Sequence, residues 1–192
     1  MIRLAVVGDI GSGKSYVAKQ FGYPVFNADA EVAKLYRKSR KCYSKLKKAL
    51  PNYITSFPVK KSELFEAITK NEYNLKKIVR IIHPEVQSEM NNFIKKNKNK
   101  KIIVLDIPLL MENKINKKDD ILIFVDTKKK QIDKRLKKKL NFNSKLFKKF
   151  KELQLPVEFK KRQSSFVIKN NFKKKPIKKK VKQVLEKILS NA

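Results

Sequence analysis

The stretch Ile2–Ser15, reading IRLAVVGDIGSGKS, constrains this chain more than any other. Leu4, Ala5, Val6 and Val7 form an apolar run without a charge, as a strand buried on both faces requires. Gly8-Asp9-Ile10-Gly11-Ser12-Gly13-Lys14-Ser15 follows and matches G-x-x-x-x-G-K-[ST] at each fixed position. Glycines there let the backbone turn tightly and aim consecutive N–H groups at phosphate oxygens. Tyr16 to Phe21 continue as a helix, whose N-terminal dipole favours the same anion. A Gly/Ser turn that happens to precede a lysine would need neither the strand before it nor the helix after it. The three pieces in this order predict a nucleoside-triphosphate site. Its phosphates are expected on Gly11, Ser12, Gly13, Lys14, Ser15 and Tyr16, with Lys14 reaching the β/γ-phosphates and the Ser15 hydroxyl on Mg²⁺.

Charge raises a competing possibility. The 192 residues carry 49 basic and 17 acidic side chains, a net +32, and strongly basic chains often bind nucleic acid through counterion release. Here the excess is almost all lysine, scattered from Lys34 to Lys187, without the interleaved aromatics of a stacking platform. It reads as solvated lysine-rich faces, although such a field attracts polyanionic ligands. The single cysteine, Cys42, excludes an internal disulfide framework and fits a reducing compartment. The N-terminus runs straight into the phosphate loop, so no signal peptide is expected. No apolar run approaches the ~20 residues of a membrane span. A cytoplasmic protein without membrane or nucleic-acid partners is the expectation, a monomer with an oligomer as the alternative.

Along the chain, Tyr23–Phe26 predicts a second strand ending at Asn27-Ala28-Asp29. Residues 30 to 50 keep helical spacing through Val32, Leu35, Tyr36, Leu46 and Leu50, and Pro51 ends that helix. A second helix starts at Ser62. A third stripe, Leu75, Ile78, Val79 and Ile82, runs to His83-Pro84, where the proline should break or kink it. Residues 101–105 and 121–125 are further buried strands, ending at Asp106 and Asp126; Phe166–Ile168 is a last one, and Ile177–Leu189 an amphipathic helix. Five apolar strands separated by helices predict an α/β fold with a parallel sheet flanked by helices. Ligands then gather beyond the C-terminal strand ends, where Gly8–Ser15, Asp29, Asp106 and Asp126 all fall.

Asn116-Lys117-Lys118-Asp119 spells the guanine-reading N-K-x-D, but it precedes a strand instead of following one, and no D-x-x-G follows residues 101–105. A GTPase is therefore excluded. The remaining landmarks are GDIGSGKS at 8–15, NADAEVAKLY at 27–36, His83-Pro84, DIPLLMEN at 106–113, Gln131 with Arg135, and SSFVIKNN at 164–171. In this order and spacing the chain resembles the dephospho-coenzyme A kinases from about residue 2 to 171. The resemblance implies ATP-dependent phosphorylation of the ribose 3′-hydroxyl of dephospho-coenzyme A on a P-loop NTPase-type core. It also implies a helical substrate-binding insertion and a helical lid, which map here to 30–97 and 128–163, leaving 1–29, 98–127 and 164–192 as core.

A sugar hydroxyl is a weak nucleophile, so a carboxylate beside it can take its proton as the new bond forms. Asp29 matches the family's base; its plainer role would be to cap the helix from Ala30. Asp106, at the end of a core strand, can join Ser15 in the Mg²⁺ shell, or simply shape a turn. The resemblance assigns His83, Pro108, Leu109 and Glu112 with Asp29 to the acceptor pocket, and Arg135 of the lid to the transferring phosphoryl. The chain departs from the family pattern at Asn27, where the first aspartate of D-A-D is usual, and at Lys139, where a lid arginine is common. It departs again at Ser164-Ser165 in place of Ala-Asp and at Phe172 in place of glycine. The alternatives are another small-molecule or nucleoside kinase on the same core, and a basic nucleic-acid-binding ATPase.

Overall fold

A computed structural model describes residues 1–137 and 144–190; Lys139 lies outside them. Five strands form one parallel sheet in the order β2-β3-β1-β4-β5, with β1 at Ile2–Gly8, β2 at Val25–Asn27, β3 at Ile102–Asp106, β4 at Ile121–Asp126 and β5 at Phe166–Lys169. Leu4 to Val7 and Ile102 to Leu105 are buried without a break, as central strands covered on both faces must be. Register carries each strand end to a chemically useful residue: Asn27 pairs with Asp106, Gly8 with Val125, and Asp126 with Lys169.

The chain divides into two compact units, residues 1–27 with 97–192 and residues 28–96. In the first, α1 (Lys14–Gln20) and α9 (Lys174–Ser190) lay Val17, Ala18 and Phe21 and the stripe Ile177, Val181, Val184, Ile188 onto the sheet. That spacing of four, three and four is the apolar face of a single helix. At the other end of the sheet Arg3 grips the buried Asp120, Nε to Oδ1 at 2.8 Å and Nη2 to Oδ2 at 3.0 Å. Burial pushes the Asp120 carboxyl up despite the guanidinium and the Lys117 N–H that favour its ionised form. The N-K-x-D segment is thus the approach to a structural anchor.

The second unit holds α2 (Ala28–Lys38), α3 (Arg40–Ala49), α4 (Lys61–Lys70) and α5 (Glu72–Lys96) around Cys42, Leu46, Ile54, Ala67, Ile78 and Ile82. Two expectations need correction. The helix expected over residues 30–50 is two helices, because Ser39 leaves helical geometry and its hydroxyl accepts from the Cys42 N–H at 3.1 Å, capping α3. Pro84 does not end its helix either: α5 runs through it for 25 residues. The lost bond costs about 3 kcal/mol, and burying Ile78 and Ile82 before the proline and Met90 beyond it offsets that, since each such side chain contributes ~1.5–3 kcal/mol.

The segment between β4 and β5 supplies α6 (Lys129–Lys137), α7 (Ser144–Glu152) and α8 (Val157–Arg162). No helix among the described residues is long and apolar enough to cross a membrane.

Candidate active site

The phosphate loop leaves β1 at Gly8 and enters α1 at Gly13, which has φ 91°. A side chain is barred at both ends. A Cβ on Gly8 would lie 2.8 Å from the Val125 carbonyl, and one on Gly13 would collide with the Asn170 amide and stand 3.2 Å from the Phe172 ring. Helix α1 therefore starts at Lys14, two residues earlier than expected, with Gly13 O accepting from the N–H groups of Tyr16 and Val17 at 3.1 Å.

Three side chains hold the loop in shape. Thr127 Oγ1 and Asn170 Nδ2 both donate to the buried Ser12 carbonyl, at 2.9 and 2.6 Å. Asn170 is itself tied down: its N–H donates to Asp126 O at 2.7 Å, and its Oδ1 accepts from Phe172 N at 2.8 Å. Arg135 of α6 then stacks on the Phe172 ring, 4.7 Å from its centroid, and its guanidinium reaches within 3.4 Å of where a Gly13 Cβ would sit. Beneath the loop the buried Ile132 and Leu136 pack on Gly11. Ser12 Oγ is buried beside Gly8 with no hydrogen-bond partner among the described residues. An orphaned hydroxyl in a glycine cradle fits a phosphate oxygen. Lys14 Nζ donates to the carbonyls of Asp9 and Gly8 at 2.8 and 3.2 Å, folded back over its own loop.

Asp106 stands on the neighbouring strand, 3 % exposed, and accepts from the Asn27 side-chain amide. Asn27 thus hydrogen-bonds the carboxylate where an aspartate would repel it. Asp106 and the exposed Ser15 hydroxyl are hard oxygen donors, and among the described residues no cluster of three or more His, Cys, Asp or Glu forms a closed cage. That suits Mg²⁺, which takes one or two protein ligands and completes its shell with phosphate and water.

After β3, Pro108 is exposed and Leu109 turns the chain at φ 54°. Glu112 faces inward: its Oε1 accepts from Leu155 N at 3.0 Å and from Lys160 Nζ at 3.1 Å. Lys14, Leu109, Glu112 and Lys160 line one small cavity with Gly8. Asp126, at the end of β4, pairs with Lys161 at 3.2 Å.

Asp29 and His83 lie in the other unit. Helix α2 begins at Ala28, so Asp29 sits within its first turn and not at a cap before Ala30, two residues past the last residue of β2. His83 is exposed on α5 immediately before Pro84. Thr127, Asn170 and Lys160 were not among the expected site residues. Asn170 lay inside the SSFVIKNN landmark, but nothing in the sequence distinguishes Lys160 from the other lysines.

A parallel sheet in this strand order, with a phosphate loop after its central strand and an acidic residue ending the next one, defines the P-loop kinase class. The profile of the dephospho-CoA kinase family matches residues 2–175. Among similar sequences, the dephospho-CoA kinase of Wolbachia from Brugia malayi is 31% identical over 95% of this chain and 96% of its own length. That of Bartonella quintana is 32% identical over 98% of both. Two solved structures share the fold: TT1252 from Thermus thermophilus, with a TM-score of 0.74 at 22% identity over 99% of this chain and 97% of its own, and the dephospho-CoA kinase from Campylobacter jejuni, with 0.66 at 20% over 97% and 96%. This chain belongs to the dephospho-CoA kinase family.

Proposed function

We propose that this kinase transfers the γ-phosphoryl group of ATP to the ribose 3′-hydroxyl of dephospho-coenzyme A, giving coenzyme A and ADP, as a cytoplasmic monomer. The observation that carries the reading is the family match across residues 2–175 on a loop with an orphaned buried hydroxyl and a lysine at its mouth.

Phosphoryl transfer needs alignment and charge neutralisation more than covalent help. The N–H groups of Gly11 to Tyr16 hold the phosphate oxygens, and Lys14 exchanges the Asp9 and Gly8 carbonyls for them. That exchange favours the phosphates, because hydrogen bonds between two charged groups are roughly twice as strong as neutral ones. Arg135, already stacked beside Gly13, brings a second cation to the charge that grows in the transition state. Ser15 and Asp106 would hold Mg²⁺, which when bound draws charge from the β- and γ-phosphates. Asp29 accepts the proton of the attacking hydroxyl. His83, Pro108 and Leu109 contribute to acceptor binding, with residues 30–97 as the acceptor region and 128–163 as the lid.

The test is ADP release with Mg-ATP and dephospho-coenzyme A, run beside a panel of nucleosides and a single-stranded polynucleotide. ADP formed with dephospho-coenzyme A alone supports the reading. Release driven by a nucleoside or by the polymer would keep the phosphate loop and refute the acceptor.

A further inference from the structure

Among the described residues, three that are not glycine hold a positive φ: Leu109, Lys114 and Phe172, the last at 61°. Left-handed backbone is costly for a bulky side chain and persists only where its surroundings fix it. The surroundings of Phe172 do so. Asn170 Oδ1 accepts from the Phe172 N–H at 2.8 Å, while the Asn170 amide donates to Ser12 O and its backbone N–H to Asp126 O. Glycine, which the family pattern has here, would adopt this turn without strain. What the chain gains from phenylalanine is a half-buried ring, and that ring borders both Gly13 and Arg135. It comes within 3.2 Å of where a Gly13 Cβ would sit, and the Arg135 guanidinium lies over it, 4.7 Å from its centroid.

This arrangement bears on Arg135. Helix α6 is anchored beneath the loop by the buried Ile132 and Leu136, which fixes where the Arg135 backbone stands. Arg135 itself is exposed, and a long side chain left to solvent samples many rotamers. A guanidinium laid over an aromatic face is attracted by the ring and keeps its in-plane N–H groups for other acceptors. Arg135 Nη1 already stands 3.4 Å from the Gly13 Cβ position, at the end of the loop where α1 begins. A cation set in place beforehand needs no rearrangement when charge develops on the moving phosphoryl group.

We propose that Phe172 is a positioning residue: its ring holds the Arg135 guanidinium against the phosphate loop, so that the cation is in place when the γ-phosphoryl group moves. It acts through Arg135. The proposal rests on the reading of Arg135 as the cation for the transferring phosphoryl, and Arg135→Ala separates the two: an undiminished transfer rate in that variant would sink the Arg135 reading itself.

A ring that merely packs the loop and a ring that aims Arg135 respond differently to loss of the guanidinium. Packing matters similarly with or without it, whereas aiming loses its object. The experiment compares Phe172→Leu, Phe172→Tyr, Arg135→Ala and the double variant Phe172→Leu/Arg135→Ala in the full-length protein. Leucine keeps apolar bulk without an aromatic face, and tyrosine keeps the face. The readouts are the single-turnover rate of phosphoryl transfer from Mg-ATP to dephospho-coenzyme A, calorimetric ATP binding and circular dichroism. Phe172→Leu should slow transfer ~10-fold, the scale of one cation–ring contact. It should change ATP affinity by less than ~3-fold, because the contact serves the transition state. Phe172→Tyr should retain the rate. Arg135→Ala should slow transfer ~100-fold, as loss of a transition-state donor does, and adding Phe172→Leu to it should cost no more than ~2-fold further. A Phe172→Leu protein at the wild-type rate overturns the proposal, as does a Phe172→Tyr protein as slow as Phe172→Leu. Equal losses from Phe172→Leu with and without Arg135 overturn it too, by assigning the ring to packing. Should Phe172→Leu fail to fold, Phe172→Gly, which suits the φ of 61°, takes its place in both backgrounds with the same outcomes.

Discussion

Asn170 and Thr127 give the phosphate loop a redundancy that can be measured. Both donate to the Ser12 carbonyl, which is buried and must find a partner. Thr127→Val removes one donor and leaves the other, so it should cost only the net value of one hydrogen bond, about 0.5–1.5 kcal/mol. Asn170→Ala removes more: its amide leaves Ser12 O, and its Oδ1 no longer accepts from Phe172 N. Two bonds at that rate give about 1–3 kcal/mol. The double variant leaves the Ser12 carbonyl without either donor and adds the desolvation penalty of an unsatisfied buried acceptor, about 1–3 kcal/mol. The pair should therefore be worse than the sum of the singles by ~1 kcal/mol or more, well outside the few tenths expected of independent sites. Urea unfolding of the four proteins in a double-mutant cycle reads this directly, since a shift in midpoint at constant slope is a change in stability. Additive losses would refute the shared-acceptor reasoning. An insensitive Asn170→Ala would show that the loop keeps its shape without the β5 end.

Three other outcomes follow from the same geometry. Lys14→Ala should abolish turnover while the circular dichroism spectrum and thermal midpoint stay near wild type, because the Asp9 and Gly8 carbonyls that the ammonium holds belong to its own loop; a near-normal rate in the folded variant would dismiss the phosphate-loop assignment. Asp29→Asn should lower kcat far more than it raises the KM for dephospho-coenzyme A, since a base acts in the transition state, and an effect confined to KM would make Asp29 a binding residue. Burial would push Glu63 up, but the N–H groups of Lys60, Thr55 and Ser56 and the Thr55 hydroxyl outweigh it and hold the carboxyl at about 2, against 4.5 unperturbed. A depressed folded value stabilises above the unfolded one, so Glu63→Gln should lower the thermal midpoint at neutral pH, and the gap should close as pH falls from 4.5 towards 2. A gap constant across that window would mean that the carboxylate is not what those donors select.

The sequence made the central part of this molecule readable because there local chemistry and fold agree. Leu4–Val7 must be buried, the glycines after them tolerate positive φ, and the register then brings Asp106 beside Asn27 and Asp126 beside Lys169. Elsewhere local signals competed with packing. Pro84 is a breaker by composition, yet apolar burial on either side of it kept α5 whole. The break at Ser39 left no trace in the apolar spacing, because one hydroxyl cap is enough to separate two helices that share a stripe. Lys160 was invisible for a different reason. In a chain with 49 basic residues, no local feature tells which lysine the fold will bury against a glutamate. Asn170 and Thr127 were equally silent as donors, since their common acceptor, Ser12 O, lies 158 and 115 residues away.

The central claim concerns which oxygen receives the phosphoryl group, and product analysis addresses it most directly. The protein would be incubated with Mg-ATP and dephospho-coenzyme A, and the product resolved by mass spectrometry and by phosphorus NMR with proton coupling. The expected result is a single new monoester whose phosphorus couples to the ribose 3′ proton, formed in equal amount to ADP. A phosphoryl group on any other oxygen, or ADP released with no phosphorylated acceptor, would contradict it.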